Sequence, residues 1–118
     1  VAPKRSKYGS RKKQVDNHLF DSGKEARRYI ELKAQLQAGL IWDMNLQPPF
    51  LLQAGFRCPD GKWNRPITYV ADFEYRTREN GKDISVVEDV KGFKTKEYII
   101  KAKMFRRLYP GIKFVEVA

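Results

Sequence analysis

Two alternating runs, ITYVADFEYRT (67–77) and ISVVEDVKG (84–92), flank the segment RENGKD, and the Asn80-Gly81 pair inside it constrains this chain more than any other feature. Asn-Gly between alternating runs marks a two-residue hairpin loop, because both residues accept the positive φ of a type I′ turn. With that loop, Glu79 pairs with Lys82, and counting outward sets Asp72 directly opposite Asp89. A four-residue loop leaves the pairing unchanged. Along the first run Tyr69, Ala71, Phe73 and Tyr75 fall on one face and Val70, Asp72 and Glu74 on the other. The same parity brings Lys91 onto the face of Asp72, opposite Val70. Directly opposed Cβ atoms stand about 4.5–5.5 Å apart, and like charges there are destabilising. Carboxylates inside a run that otherwise reads as buried therefore need partners.

Two arrangements supply them. Lys91 can pair with one aspartate while the other meets water, or a divalent cation can sit between the two carboxylates. Oxygen donors without His or Cys point to Mg²⁺, with Mn²⁺ as a substitute. The chain has one cysteine, Cys58, and one histidine, His18, so an intrachain disulfide and a Cys/His zinc site are excluded by number. A Cys58–His18 nucleophilic pair competes with the simpler reading of Cys58 as a loop thiol. A cation beside Lys91 suits phosphoryl transfer to water, where the ion screens phosphate charge and Lys91 orients the attacking water and stabilises the developing charge.

The remaining segments frame this hairpin. HLFDSGKEARRYIELKAQLQAG predicts a helix from near Ser22, with Ala26, Tyr29, Leu32 and Leu36 as its apolar stripe and Gly39 as its stop. IWDMNLQPPFLLQAGF reads as extended chain that Pro48 and Pro49 confine to an edge, bend or bulge. CPDGKWNRP reads as a loop. KTKEYIIKAKMFRRLYPG predicts a second helix with Tyr98, Ala102, Phe105 and Tyr109 inward, and IKFVEV a last strand. The order is α-β-β-β-α-β, a small mixed α/β (α+β) domain. Trp42 and Trp63 read as packing residues, with base stacking as the alternative. Arg27-Arg28 and Arg106-Arg107 read as wet helix faces.

Charge narrows the partner. The 118 residues carry a net charge of +10, of which Lys4, Arg5, Lys7, Arg11, Lys12 and Lys13 supply six, leaving +4 on the remainder. Residues 1–14 hold no acid and read as a flexible basic arm ahead of one domain spanning 15–118. Such an arm is either a solvated tail or a phosphate-seeking contact. No apolar face accompanies it, which favours nucleic acid over a membrane surface. No apolar run approaches the roughly 18–20 residues of a membrane span, and the N-terminus lacks the apolar stretch of a signal peptide. A cytoplasmic protein is expected.

Asp72, followed after about sixteen residues by Asp89-Val90-Lys91, resembles the D…(D/E)-x-K signature of the PD-(D/E)XK nuclease superfamily. FDSGKEARRY and VVEDVKGFKTK extend the likeness to a phage-borne domain-of-unknown-function family related to junction resolvases, over roughly residues 7–117. Ala71 stands where the superfamily's name has proline. The resemblance implies a restriction-endonuclease-like core, with Asp72, Asp89 and the Val90 carbonyl as metal ligands and Lys91 acting on the nucleophile. Glu88 is the rival ligand, and a register slip of one residue would exchange it for Asp89. Ser22-x-x-Glu25 is a capping box, yet F-x-S-x-x-E also resembles the first-helix motif of junction resolvases, which implies Glu25 as a third carboxylate. Lys94 and Lys96 flank Thr95 at the start of the second helix, as an ordinary solvated turn or a grip on a neighbouring phosphate. The expectation is a Mg²⁺-dependent DNA endonuclease, a Holliday-junction resolvase or another structure-selective recombination or repair nuclease, acting as a homodimer. A non-catalytic nucleic-acid-binding module is the alternative.

Overall fold

A computed structural model describes residues 12–118. Two strands, β1 (Lys13–Val15) and β2 (His18–Phe20), form a hairpin closed by Asp16 and Asn17, whose φ values are 51° and 64°. Lys13 and Gln14 therefore pair with Phe20 and Leu19 instead of ending a tail at residue 14. Asp and Asn tolerate the left-handed region, so Asp16-Asn17 works here as Asn80-Gly81 does further on. Helix α1 (Gly23–Gln37) begins where Ser22 Oγ accepts the Glu25 N–H at 3.2 Å. It buries Ala26, Tyr29 and Leu32, and Gly39 at φ 76° turns the chain out.

The chain continues through β3 (Ile41–Leu46), β4 (Pro49–Gln53), β5 (Phe56–Arg57), β6 (Trp63–Asn64), β7 (Ile67–Val70), β8 (Phe73–Glu79), β9 (Lys82–Val90), α2 (Lys96–Leu108) and β10 (Ile112–Val117). A four-stranded sheet has the order β10-β9-β8-β3, with β10 parallel to β9 and the other pairs antiparallel. The helices and strands of this layer run α1, β3, β8, β9, α2, β10 along the chain. Between β3 and β8 lie two short antiparallel ribbons, β4–β7 and β5–β6. The structure is a mixed α+β domain. Among the described residues no helix is long and apolar enough to cross a membrane.

The β8–β9 register runs from Glu79↔Lys82 to Phe73↔Glu88 around Asn80 (φ 52°) and Gly81 (φ 77°), as the turn chemistry requires. The run 67–77, read as one strand, is two. At Ala71-Asp72 the backbone changes partners: Ala71 N–H donates to the Pro48 carbonyl (3.1 Å) and Asp72 N–H to the Glu88 carbonyl (3.2 Å), while Gln47 N–H donates to the Asp72 carbonyl (3.0 Å). The facing segment breaks at the same level, with Gln47 at φ 51° ahead of Pro48-Pro49.

This break reverses the inside and outside of the run. Tyr69 and Ala71 pack with Leu52, Val87, Tyr98, Ala102 and Phe105, the cluster that includes α2. Phe73 and Tyr75 pack with Phe20, Ala26, Tyr29, Leu32, Ile41 and Val86, the cluster that includes α1. Val70 pairs with Pro49, so Lys91 does not lie opposite it.

Candidate functional site

Consecutive residues of a strand face opposite ways, and at the end of β9 that places two buried carboxylates in different chemistry. Glu88 and Asp89 are 1% and 0% exposed. Glu88 belongs to the α1 side. Arg28 holds it through two bonds, Nε to Oε1 at 2.7 Å and Nη2 to Oε2 at 2.8 Å, and the Tyr75 hydroxyl donates to Oε2 as well. Arg28 is thus no part of a wet helix face; its helix carries it into the sheet to neutralise Glu88. Planar guanidinium against carboxylate is the strongest pairing available to such a group. Both Glu88 oxygens are engaged by these donors.

Asp89 faces the other way. Its Oδ2 accepts the Tyr69 hydroxyl, while Lys91 Nζ stands 3.0 Å from Oδ1. The Lys91 contact is an ion pair without hydrogen-bond geometry, so Oδ1 is buried and lacks a hydrogen-bond partner among the described residues. Lys91 lies 4.6 Å above the Tyr98 ring, and the Tyr98 hydroxyl donates to Glu116 Oε2 at 2.7 Å. A cation over an aromatic face is held electrostatically, so the ammonium is positioned from two sides.

Asp72 sits just past the break, where the side chain replaces a ladder carbonyl: Oδ2 accepts the Val90 N–H at 2.7 Å. Burial first, then the Asp89 charge, then that of Glu25, pushes the Asp72 carboxyl up to about 8. Glu25 arrives from the first turn of α1 and is buried at 4% exposure. Its carboxyl is raised by burial first and by Asp21 next, and lowered by the Asp21 backbone N–H and by a hydrogen bond with Asp72. Ser22 caps the helix start through the Glu25 N–H, and the Glu25 carboxyl lies beside Asp72, with the Asp89 charge close enough to raise it.

Three acidic side chains thus share one buried site with Lys91. Among the described residues, no group of three or more His, Cys, Asp or Glu side chains is placed so that it could hold a metal ion. The oxygens of this cluster are turned to each other, to Val90 N–H, to Tyr69 and to Lys91. Its donor atoms are all oxygens, the kind a hard divalent cation takes, and one of them, Asp89 Oδ1, lacks a hydrogen bond.

Other predicted site residues lie further out. Lys94 Nζ reaches Glu116 Oε1 at 3.4 Å, and Lys96 is exposed in the first turn of α2. Thr95 caps that helix, its Oγ1 accepting the Tyr98 N–H at 3.1 Å. Lys12 and Lys13 are exposed beside and within β1, while Lys4, Arg5, Lys7 and Arg11 lie outside the described residues. The Cys58–His18 pairing is not made: Cys58 Sγ accepts from Asn64 Nδ2 at 3.2 Å, and the His18 ring packs edge-on against Tyr29.

Sequence reasoning missed Tyr69, which donates to Asp89, Tyr98, over whose ring Lys91 lies, and Glu116, which accepts from the Tyr98 hydroxyl. It also missed Lys24, whose Nζ would stand 3.6 Å from a Cβ at Gly92. Tyr69 carries no pattern signal, because the strand break alone turns it toward Asp89.

Replacing Glu25 with Gln separates its two roles. Gln also serves a helix start and carries no buried charge, so the fold should be no less stable, whereas activity that needs the third carboxylate should fall by about a hundredfold or more, the scale of a lost catalytic acid or base. Unchanged activity in a nicking assay would leave Glu25 as a cap alone.

Fold and site together define a mixed α+β domain with a buried acidic cluster and a lysine at the end of its central strands. A family model described as "Protein of unknown function (DUF1064)" matches residues 5–118, and the chain belongs to that family. No curated protein and no solved structure matches it.

Proposed function

We propose that this protein is a Mg²⁺-dependent DNA endonuclease. The observation that carries the reading is the crowding of Asp72 by Asp89 and Glu25, which holds the Asp72 carboxyl up at about 8, with the ammonium of Lys91 beside them. A chain that needed only a folded sheet would gain by neutralising such a cluster. A buried carboxylate whose proton affinity is raised by burial and neighbouring carboxylates is a candidate for a functional site.

Glu25, Asp72 and Asp89, with the Val90 carbonyl, are the groups that would hold the ion. Bound there, Mg²⁺ would supply positive charge against the phosphate and make water easier to deprotonate. The chain's own residues do the rest. Lys91, with 29% of its side chain exposed, reaches solvent and can hydrogen-bond both the attacking water and a phosphate oxygen. Tyr69 fixes Asp89, and Tyr98 fixes Lys91. A carboxylate of the cluster takes the proton of the water as its oxygen bonds phosphorus, and the departing strand oxygen takes a proton from solvent.

The order α1, β3, β8, β9, α2, β10 supports the likeness to the restriction-endonuclease-like core of the PD-(D/E)XK superfamily. Residues 1–13, with Lys94 and Lys96, suit contact to DNA phosphates. A small basic domain with one acidic cluster suits a branched substrate such as a four-way junction. Two symmetric nicks then call for a two-fold dimer. Cytoplasmic action, in a host cell if the gene is phage-borne, follows from a DNA substrate.

The test is end-labelled linear, nicked, flapped and four-way DNA incubated with and without Mg²⁺. Nicking that depends on the ion supports the proposal, and preference among the four substrates names the specificity. Tight binding without nicking under Mg²⁺ or Mn²⁺ would reassign the protein as a non-catalytic nucleic-acid-binding module.

A further inference from the structure

No residue between Leu52 and Tyr69 is buried, so the β5–β6 hairpin is built without a core of its own. It nevertheless carries two large apolar rings in the open, Trp63 at 50% and Phe56 at 45% exposure. Trp63 is held in place. Its indole lies against Gly55, where a Cβ would stand 2.5 Å from Cζ2, so only glycine leaves room for the ring. Directly across the ladder, the Arg57 guanidinium lies 5.6 Å from the ring centroid, and Arg57 Nη1 donates to the Gly61 carbonyl at 2.9 Å. The hairpin and its flank carry Arg57, Lys62 and Arg65 against one acid, Asp60, whose Oδ1 accepts the Lys62 N–H at 2.9 Å.

A pinned, half-exposed indole among basic side chains matches the chemistry of unpaired nucleic acid, in which a base offers a π face and its phosphates offer negative charge. We infer that the β5–β6 hairpin is a contact for single-stranded or unpaired DNA, with Trp63 stacking on a base and Arg57, Lys62 and Arg65 meeting the adjacent phosphates. The inference rests on the reading of DNA as substrate and adds the part of it that is bound. Trp63 lies nine positions before Asp72, so at about 3.3 Å per extended residue the contact stands at most roughly 30 Å from the carboxylates. An unpaired segment at a branch could therefore be held while the neighbouring strand lies at the acidic cluster.

The experiment uses the full chain in EDTA, with fluorescence anisotropy on a labelled single strand and on a duplex of equal length. Trp63→Leu keeps apolar packing on Gly55 and removes the aromatic face; Trp63→Phe keeps a smaller one. Trp63→Leu is expected to weaken single-strand binding about tenfold, the effect of losing one stacked base, and duplex binding by less than about twofold. Trp63→Phe should restore most of the loss. Unchanged single-strand affinity in Trp63→Leu, equal losses on both probes, or no rescue by Phe would each overturn the inference and leave Trp63 as a brace on Gly55. If the wild type binds neither probe, the nuclease reading fails with it. If the wild type nicks with Mg²⁺ while Trp63→Leu binds normally, the hairpin contact alone fails.

Discussion

Asp72→Asn is expected to abolish Mg²⁺-dependent nicking and yet to leave the metal-free protein more stable than the wild type. The physical reason lies in what surrounds the carboxyl. Asn keeps an oxygen for the Val90 N–H and removes a charge that is buried and faces Asp89 and Glu25. Its new amide hydrogens can donate to either neighbour.

The gain should depend on pH with a definite sign. An Asp in the unfolded chain titrates near about 3.9, and in the fold near about 8. Between those values the folded state keeps a proton that the unfolded state has released, so wild-type stability falls as pH rises through that window. Asp72→Asn has no such slope at this position. Melting curves from pH 5 to pH 9 should therefore diverge, with the variant ahead by a few kcal/mol at the alkaline end.

Mg²⁺ should stabilise the folded wild type, as any ligand of the folded state does, by about 2.7 kcal/mol at a hundredfold excess over its dissociation constant, and so raise its melting temperature. Asp72→Asn should lose most of that rise. Asp89→Asn should lose both the rise and the nicking, but without the gain in stability, because Asp89 already has Lys91 and Tyr69 as partners. A Glu88→Gln variant that loses the Mg²⁺ response while Asp72→Asn keeps it would move the site to the other face of the sheet and end the assignment.

How far these residues were legible in the sequence depends on the range of the interaction involved. The Asn80-Gly81 turn, the Ser22 and Thr95 caps and the apolar stripes of both helices are local signals, and the structure carries each of them. The hairpin register follows from that turn, and with it the approach of Asp72 to the end of β9. The first hairpin turn, Asp16-Asn17, carries the same kind of local signal, directly after the basic residues Arg11, Lys12 and Lys13.

What local pattern could not show is the break at Ala71-Asp72. Alternation continues through it unchanged, because Tyr69, Ala71, Phe73 and Tyr75 are all buried. They are buried under different helices, and only the change of hydrogen-bond partners at Gln47-Pro48 separates them. Tyr69 reaches Asp89 through that break, and Arg28 reaches Glu88 across the layer, so both partners were invisible to spacing alone.

Arg28 carries the largest structural effect. Truncation to Ala is expected to destabilise the fold by about 3–5 kcal/mol, the cost of leaving one member of a buried pair uncompensated. Glu88 is 1% exposed, and Arg28 supplies two of the three hydrogen bonds that its carboxylate accepts from side chains. Without the guanidinium, Tyr75 remains as the donor to a carboxylate that is 1% exposed in the wild type. The contact from Arg28 to Glu31 at 2.9 Å contributes little, since Glu31 is exposed.

Urea unfolding should show the loss as a lower midpoint at an unchanged slope. The double variant Arg28→Met with Glu88→Leu should recover most of it, because two apolar side chains of similar volume remove both charges together. Since Glu88 faces away from the acidic cluster, that double variant should also keep the Mg²⁺-induced rise in melting temperature, which a variant at Asp72 or Asp89 should not. A loss below about 1 kcal/mol in Arg28→Ala would mean that Glu88 is relieved in another way, by taking up a proton or turning to solvent. The Arg28–Glu88 pair would then no longer account for the burial of a charge between helix and sheet.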